Sequence, residues 1–179
     1  MHSNRSPARF FELVNMLRRP AFFSLVLTLL AVSSSAVAAD AVSAARRALR
    51  SGKYQQAIRL AESMAAKGGA ARLAAAAVHA EALIRSGRRG DAIVVLEKAS
   101  ADPAAHRARL LLGETLIRQG KRSQAEPYLM KIIEAYNDDA ITDRDARGLA
   151  IVGRAAYLLR AYRDANDAFN LSERAGGNN

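Results

Sequence analysis

A segment that recurs four times between residues 48 and 169 limits the fold of this chain more than any other feature of its sequence. In three copies a glycine, at position 52, 87 or 120, follows an arginine and one polar residue, and an alanine stands five residues after it. The glycines are 35 and 33 residues apart, and Arg160 takes the same place in the fourth copy, 40 residues further on. Because glycine readily adopts the left-handed conformation that ends a helix, each copy predicts a helix, a tight turn and a second helix. A period of this length is typical of stacked helix pairs.

The residues after each turn predict how closely the paired helices pack. A small alanine lets two helices approach each other, and the residue four positions later lies on the same helix face. The alanines are Ala57, Ala92, Ala125 and Ala165, and the residues four positions later are Ala61, Leu96, Leu129 and Phe169. Ser123 and Glu126 have the spacing of a capping box, which predicts that the second helix of the third repeat opens there. Alanine-rich faces bury little area per contact, so we expect modest stability.

This pattern resembles the tetratricopeptide repeat family over roughly residues 38–175. The likeness lies in Gly52-x-Tyr54-x-x-Ala57, Gly87-x-x-x-x-Ala92, Gly120-x-x-x-x-Ala125 and Tyr162-x-x-Ala165-x-x-x-Phe169, and in the first-helix steps Leu112-Gly113 and Val152-Gly153. The resemblance implies an all-α fold, an α-solenoid of about four helix-turn-helix repeats wound into a right-handed superhelix. The expected repeats are about 38–72, 73–105, 106–141 and 146–179. The related pentatricopeptide class, which binds single-stranded RNA, fits the Leu-Gly step poorly.

Departures from the family pattern affect the expected structure. The chain has no tryptophan, and arginines at 89 and 122 replace the turn tyrosine. Arg160 stands where the turn glycine belongs, so that turn should be strained or differently shaped. About six extra residues lie within 136–145. No polar capping helix follows the fourth repeat, so we expect either a longer repeat protein or a last helix pair that docks on a partner or on a second copy.

The N-terminal segment has the pattern of a secretory signal. Four arginines at 5, 9, 18 and 19 precede an uncharged, mostly apolar run over 21–32, and Ala36-x-Ala38 follows as a cleavage site. We therefore predict a signal peptide at 1–38, with Met16 as an alternative start, and a protein that is periplasmic or secreted after cleavage. The alternative is an inner-membrane anchor formed by residues 20–39. The absence of cysteine excludes a lipidated N-terminal cysteine, a disulfide framework and cysteine-ligated zinc.

No catalytic, cofactor-binding or metal-binding constellation stands out, so we expect no enzyme activity, no cofactor and no metal. The two histidines after residue 38, His79 and His106, lie on first helices of adjacent repeats and are expected to be packing or surface residues. The aspartates at 138, 139, 143 and 145 form an acidic loop that lacks the glycine and terminal glutamate of a helix-loop-helix calcium site. Helix-capping aspartates explain this loop better.

The first helix of each repeat is expected to line a concave groove, as the resemblance implies. Placing these helices from the turn residues predicts that the groove is lined by Arg46, Leu49, Arg50, Glu81, Ile84, Arg85, Glu114, Ile117, Arg118, Arg147, Arg154 and Tyr157. Arg50, Arg85 and Arg118 recur at one repeat position and should form a ladder that pairs with carboxylates of an extended or helical peptide. The alternative is that these arginines stabilise the C-terminal ends of their own helices.

The resemblance implies a non-catalytic scaffold or adaptor that binds another protein in the bacterial cell envelope. Removal of 1–38 takes away four arginines and one glutamate and leaves 23 basic against 16 acidic residues. The alternative function is therefore binding of an anionic polymer, nucleic acid or glycan, through the basic surface. Nucleic acid is disfavoured because the few aromatic residues are not interleaved with the basic ones. Self-association through the uncapped C-terminal repeat is a further expectation.

Overall fold

A computed structural model describes residues 39–67 and 71–176, and the predicted signal peptide lies outside these residues. The described residues form eight helices and no strand: α1 over 39–50, α2 Tyr54–Lys67, α3 Arg72–Arg85, α4 Arg89–Ser100, α5 His106–Arg118, α6 Arg122–Asn137, α7 Ala146–Leu158 and α8 Tyr162–Gly176. Within residues 41–179, the described residues form one compact unit. None of the helices described is both long and apolar enough to cross a bilayer.

Within the unit 41–179, packing follows chain order. From α2 to α8, every helix packs on the next one along the chain, and α5 also packs on both α3 and α7. Alternate helices therefore form a row, which is the packing of a helical repeat solenoid. The predicted all-α repeat fold is confirmed.

The helix-ending turns share one backbone conformation. The φ angles of Gly52, Gly87 and Gly120 are +73°, +85° and +78°, and that of Arg160 is +69°. At the fourth turn the Arg160 amide donates to the Tyr157 carbonyl, and the next amide donates to a carbonyl five residues back, as at the third turn. The fourth turn therefore keeps the shape of the others, and Arg160 is strained because a side chain disfavours positive φ.

Replacement of Arg160 by glycine should raise the free energy of unfolding by about 0.5–1 kcal/mol. The substitution relieves the left-handed strain, and part of this gain is offset by the greater freedom of glycine in the unfolded chain. Urea unfolding followed by circular dichroism measures the change. Arg59→Gly, the same exchange at an exposed position inside α2, should instead destabilise the protein by about 1 kcal/mol. If both variants lowered the free energy of unfolding equally, Arg160 would not be strained.

Small residues let the paired helices approach closely, as predicted. The four turn-following alanines are at most 3% exposed. A Cβ added to Gly113 would lie 2.6 Å from Leu129 Cδ2, and one added to Gly153 would lie 2.8 Å from the Phe169 ring. The glycines of the Leu-Gly and Val-Gly steps thus mark where α5 meets α6 and where α7 meets α8. Phe169 differs from its counterparts because it is 37% exposed.

The predicted capping box is wrong. Helix α6 begins at Arg122, its N-cap is Lys121, and no side chain bonds the cap, so Ser123 already lies inside the first turn. The Arg122 side chain instead reaches the end of α7, where Nη1 donates to the Leu158 carbonyl at 2.8 Å. A capping aspartate does occur in the acidic loop, as predicted, because Asp145 Oδ1 accepts a hydrogen bond from the Gly148 amide at 2.9 Å.

Candidate functional site

The first helices of the repeats share a cavity of about 880 Å³. Its residues lie three, four or seven positions apart on each of these helices, which is the spacing of one helix face. Because every second helix of the stack points this face to the same side, four separate helices build one surface. The lining residues are Arg46, Leu49 and Arg50 of α1, Ala74, Ala77, Val78 and Glu81 of α3, Arg107, Leu110 and Glu114 of α5, Arg147, Ala150, Ile151 and Arg154 of α7, and Phe169 of α8.

The structure brings part of the predicted groove together in this cavity. Of the predicted residues, it contains Arg46, Leu49, Arg50, Glu81, Glu114, Arg147 and Arg154. The remaining ones, Ile84, Arg85, Ile117, Arg118 and Tyr157, do not line it. Ile117 instead packs against the hydrophobic core, and Arg118 is exposed.

Arg50, Arg85 and Arg118 therefore do not form a ladder along the cavity. Arg85 and Arg118 are the last residues of α3 and α5, whereas the cavity residues on those helices end one turn earlier. Arg85 turns back along its own helix, where Nη2 donates to Glu81 Oε1 at 3.1 Å. Both arginines also sit where the helix dipole favours a cation.

Both glutamates of the cavity are held by arginines of the next repeat. Arg107 Nη2 of α5 lies 3.6 Å from Glu81 Oε2 of α3, and Arg154 Nε of α7 donates to Glu114 Oε1 of α5 at 2.8 Å. Arg154 also lies over the Tyr157 ring, 5.5 Å from its centroid, which is the geometry of a cation–π contact. The carboxylates are thus already neutralised within the stack.

Three arginines of the cavity remain without a carboxylate. Arg46 and Arg50 of α1 and Arg147 of α7 form no ion pair with any residue in 39–67 or 71–176. Guanidinium groups that have no internal partner carry their charge into the cavity, where a carboxylate can pair with them in two parallel hydrogen bonds. The cavity therefore has an unbalanced positive charge at both ends of the row of first helices.

Several lining residues were missed by the sequence analysis. Val78, Arg107 and Leu110 lie three to seven positions before predicted residues on the same helix face, so helical spacing extended by one or two turns would have found them. Phe169 is different because it belongs to a second helix. It reaches the cavity by packing on Gly153, and only the close approach of α7 and α8 makes this contact.

The described residues offer no grouping of three His, Cys, Asp or Glu side chains that could hold a metal ion. His79 and His106 lie on α3 and α5, and burial lowers the pKa of both imidazoles below the ordinary value. Neither histidine lines the cavity. The cavity is lined by apolar side chains, five arginines and two glutamates that are already paired with arginine.

Part of the chain is similar to a known family. Residues 83–142, from the end of α3 to the loop after α6, match the family model described as tetratricopeptide repeat. Comparison with curated proteins finds no match. The matched region contains the second and third turn glycines and the Leu112-Gly113 step, which are the residues that carry the resemblance in the sequence.

Proposed function

We propose that this chain, a protein of the tetratricopeptide repeat family, is a non-catalytic adaptor that holds an acidic segment of a partner protein in the cavity lined by α1, α3, α5 and α7. Repeats of this family generally mediate protein–protein interaction and typically act as scaffolds. The observation that carries the proposal is the set of unpaired arginines, Arg46, Arg50 and Arg147, beside glutamates that are already neutralised.

The partner segment is held by charge and by exposed apolar surface. Its carboxylates pair with the free guanidinium groups, while its apolar side chains cover Ile151 and Phe169, which are not fully buried. Leu49, Val78 and Leu110 are at most 7% exposed and form the floor under that contact. The signal pattern at 1–38 supports a place in the bacterial cell envelope, which is the proposed location of the adaptor.

Reversal of the free charges tests the proposal. The tagged protein is used to capture its partner from envelope extracts, and the captured protein is then measured by its affinity for the purified variants. Arg46→Glu with Arg50→Glu and Arg147→Glu should weaken binding at least about tenfold, because like charges then face the partner's carboxylates. Arg118→Glu is the comparison, since this exposed arginine lies outside the cavity and forms no ion pair with a residue that lines it, and it should bind normally.

Other outcomes separate the competing possibilities. Loss of binding in Arg118→Glu alone would move the site to the predicted arginine ladder at the helix ends. Loss in neither variant would contradict a role for the cavity. A nucleic acid or glycan bound instead of a protein, with affinity that falls steeply with salt, would favour an anionic polymer as the ligand.

A further inference from the structure

A second cavity, of about 620 Å³, lies between α6 and α8 and shares no lining residue with the first. We call it the α6–α8 groove, with α6 and α8 as its walls and with Val152 and Ala156 of α7, and Leu159 directly after that helix, as its floor. The two cavities thus use different faces of α7, since Arg147, Ile151 and Arg154 line the first one. A ligand in this groove leaves the first cavity open.

Each wall of the α6–α8 groove is one helix face. On α6 the lining residues Glu126, Met130, Ile133 and Asn137 are spaced by four, three and four positions. On α8 the lining residues fall at 164, 167, 168 and 171. At 1.5 Å per residue the α6 wall is roughly 16 Å long, which is three helical turns. The groove is therefore long enough to hold a three-turn helix along its axis.

The groove presents apolar side chains to solvent. Met130 is 42% exposed, and Ile133, Leu159 and Leu171 are partly exposed. Covering such surface releases water and favours binding, and methionine adapts easily to the shape of a partner. These apolar residues lie on the floor and on both walls of the groove, where they would contact the apolar face of an inserted helix.

The charge of the groove has the opposite sign to that of the protein. Asp164, Asp167 and Glu126 are its charged residues, and no lysine or arginine lines it. None of the three carboxylates forms an ion pair with another described residue. Glu126 also borders a small adjoining cleft with Arg122 and Arg160, so Asp164 and Asp167 carry the unbalanced negative charge.

We propose that the α6–α8 groove seats a basic amphipathic helix of another protein. Its apolar stripe would cover Met130, Ile133 and Leu171, and its lysines or arginines would lie against Asp164 and Asp167. Apart from Met130, the large apolar residues exposed on the described helices are Val94, Tyr157, Tyr162 and Phe169. None of these helices exposes more than two of them, so none offers a long apolar stripe to the groove of a second copy, and the occupant is a different protein. The adaptor would then join two partners of opposite charge, one in each cavity.

A synthetic peptide tests this groove independently of the first cavity. The probe is a labelled 14-residue helical peptide with leucine on one face and lysine on the other, and its counterpart has glutamate in place of lysine. Fluorescence anisotropy should show that the lysine peptide binds and the glutamate peptide does not. Asp164→Asn with Asp167→Asn should weaken binding about fivefold, and Met130→Ser about tenfold. Circular dichroism confirms that each variant is folded.

Matched variants exclude general attraction to a cationic peptide. Glu173→Gln removes a carboxylate from α8 outside the groove and should leave binding unchanged. The triple reversal Arg46→Glu, Arg50→Glu and Arg147→Glu should also leave it unchanged, so failure of this proposal is distinguishable from failure of the first. Equal effects of Glu173→Gln and of the aspartate pair would overturn the proposal. Light scattering that shows a dimer broken by Met130→Ser would assign the groove to a second copy and also overturn it.

Discussion

Replacement of Arg109 by methionine should lower the free energy of unfolding by about 3 kcal/mol. Arg109 is only 6% exposed although it carries a charge. Its guanidinium donates to the carbonyls of Ser100, Asp102 and Pro103 at 3.1, 2.8 and 2.8 Å. Burial lowers the pKa of Arg109, and these three oxygens replace the water that the charge has lost. Methionine fills a similar volume but leaves the carbonyls without their donor.

Arg107 supplies the matched control for this variant. It lies two residues earlier on α5, is half exposed, and contacts a carboxylate at 3.6 Å. Arg107→Met should therefore change the free energy of unfolding by less than about 1 kcal/mol. Urea unfolding of the two variants gives the comparison. If Arg109→Met cost no more than Arg107→Met, the loop between α4 and α5 would not depend on the buried guanidinium.

Alanine at position 113 should destabilise the protein by up to about 2 kcal/mol even though alanine is the better helix former. The new Cβ would lie 2.6 Å from Cδ2 and 2.9 Å from Cγ of Leu129, which is itself 1% exposed and has little room to move. Overpacking of this kind costs about 1–3 kcal/mol, and the gain in helix propensity returns about 1 kcal/mol. Thermal or urea unfolding measures the net loss.

Gly90→Ala is the matched control for Gly113→Ala. Gly90 lies in α4 with nothing within 4 Å of an added Cβ, so Gly90→Ala should stabilise the protein by about 0.5–1 kcal/mol. Gly153→Ala should fall between the two, because the Phe169 ring it meets is 37% exposed and can swing outward. Stabilisation by Gly113→Ala would show that α5 and α6 are not packed as closely as their contact at Leu129 indicates.

The fold could be predicted from the sequence because its determinants are local. The turn glycines fix where helices end, and the alanine five residues later fixes a contact between helices that are adjacent in the chain. Arg109 could not be predicted in the same way. An arginine near the start of a helix looks like a surface residue, and it is buried only because the loop at 100–103 folds back over it.

In the candidate site, too, some residues could be predicted from the sequence and others depend on how the helices pack. Helical spacing predicted which face of each first helix lines the cavity, and it placed Arg46, Glu81 and Glu114 there. It did not predict where the cavity ends along each helix, so Arg85 was included although it lies one turn too far. The pairing of Arg154 with Glu114 joins residues 40 positions apart and depends on the register between repeats.

The α6–α8 groove gave no signal in the sequence. Its lining residues come from three helices and the turn between α7 and α8, so the groove exists only once these helices have packed together. The nearest sequence feature is the extra stretch at 136–145, where Tyr136 and Asn137 line the groove and Tyr136 Oη donates to Asp143 at 3.0 Å. The repeat spacing indicates the additional residues, but it does not predict how they shape the neighbouring surface.

The arrangement of arginines in the first cavity has a consequence for selectivity. In the middle of the row the charges balance, because Glu81 and Glu114 each form an ion pair with an arginine from the following repeat. The free cations belong to α1 at one end and to α7 at the other. A segment with all its carboxylates at one end can satisfy only one of these sets. In the proposed adaptor, the spacing between the negative charges of a partner segment would therefore decide binding as well as their number.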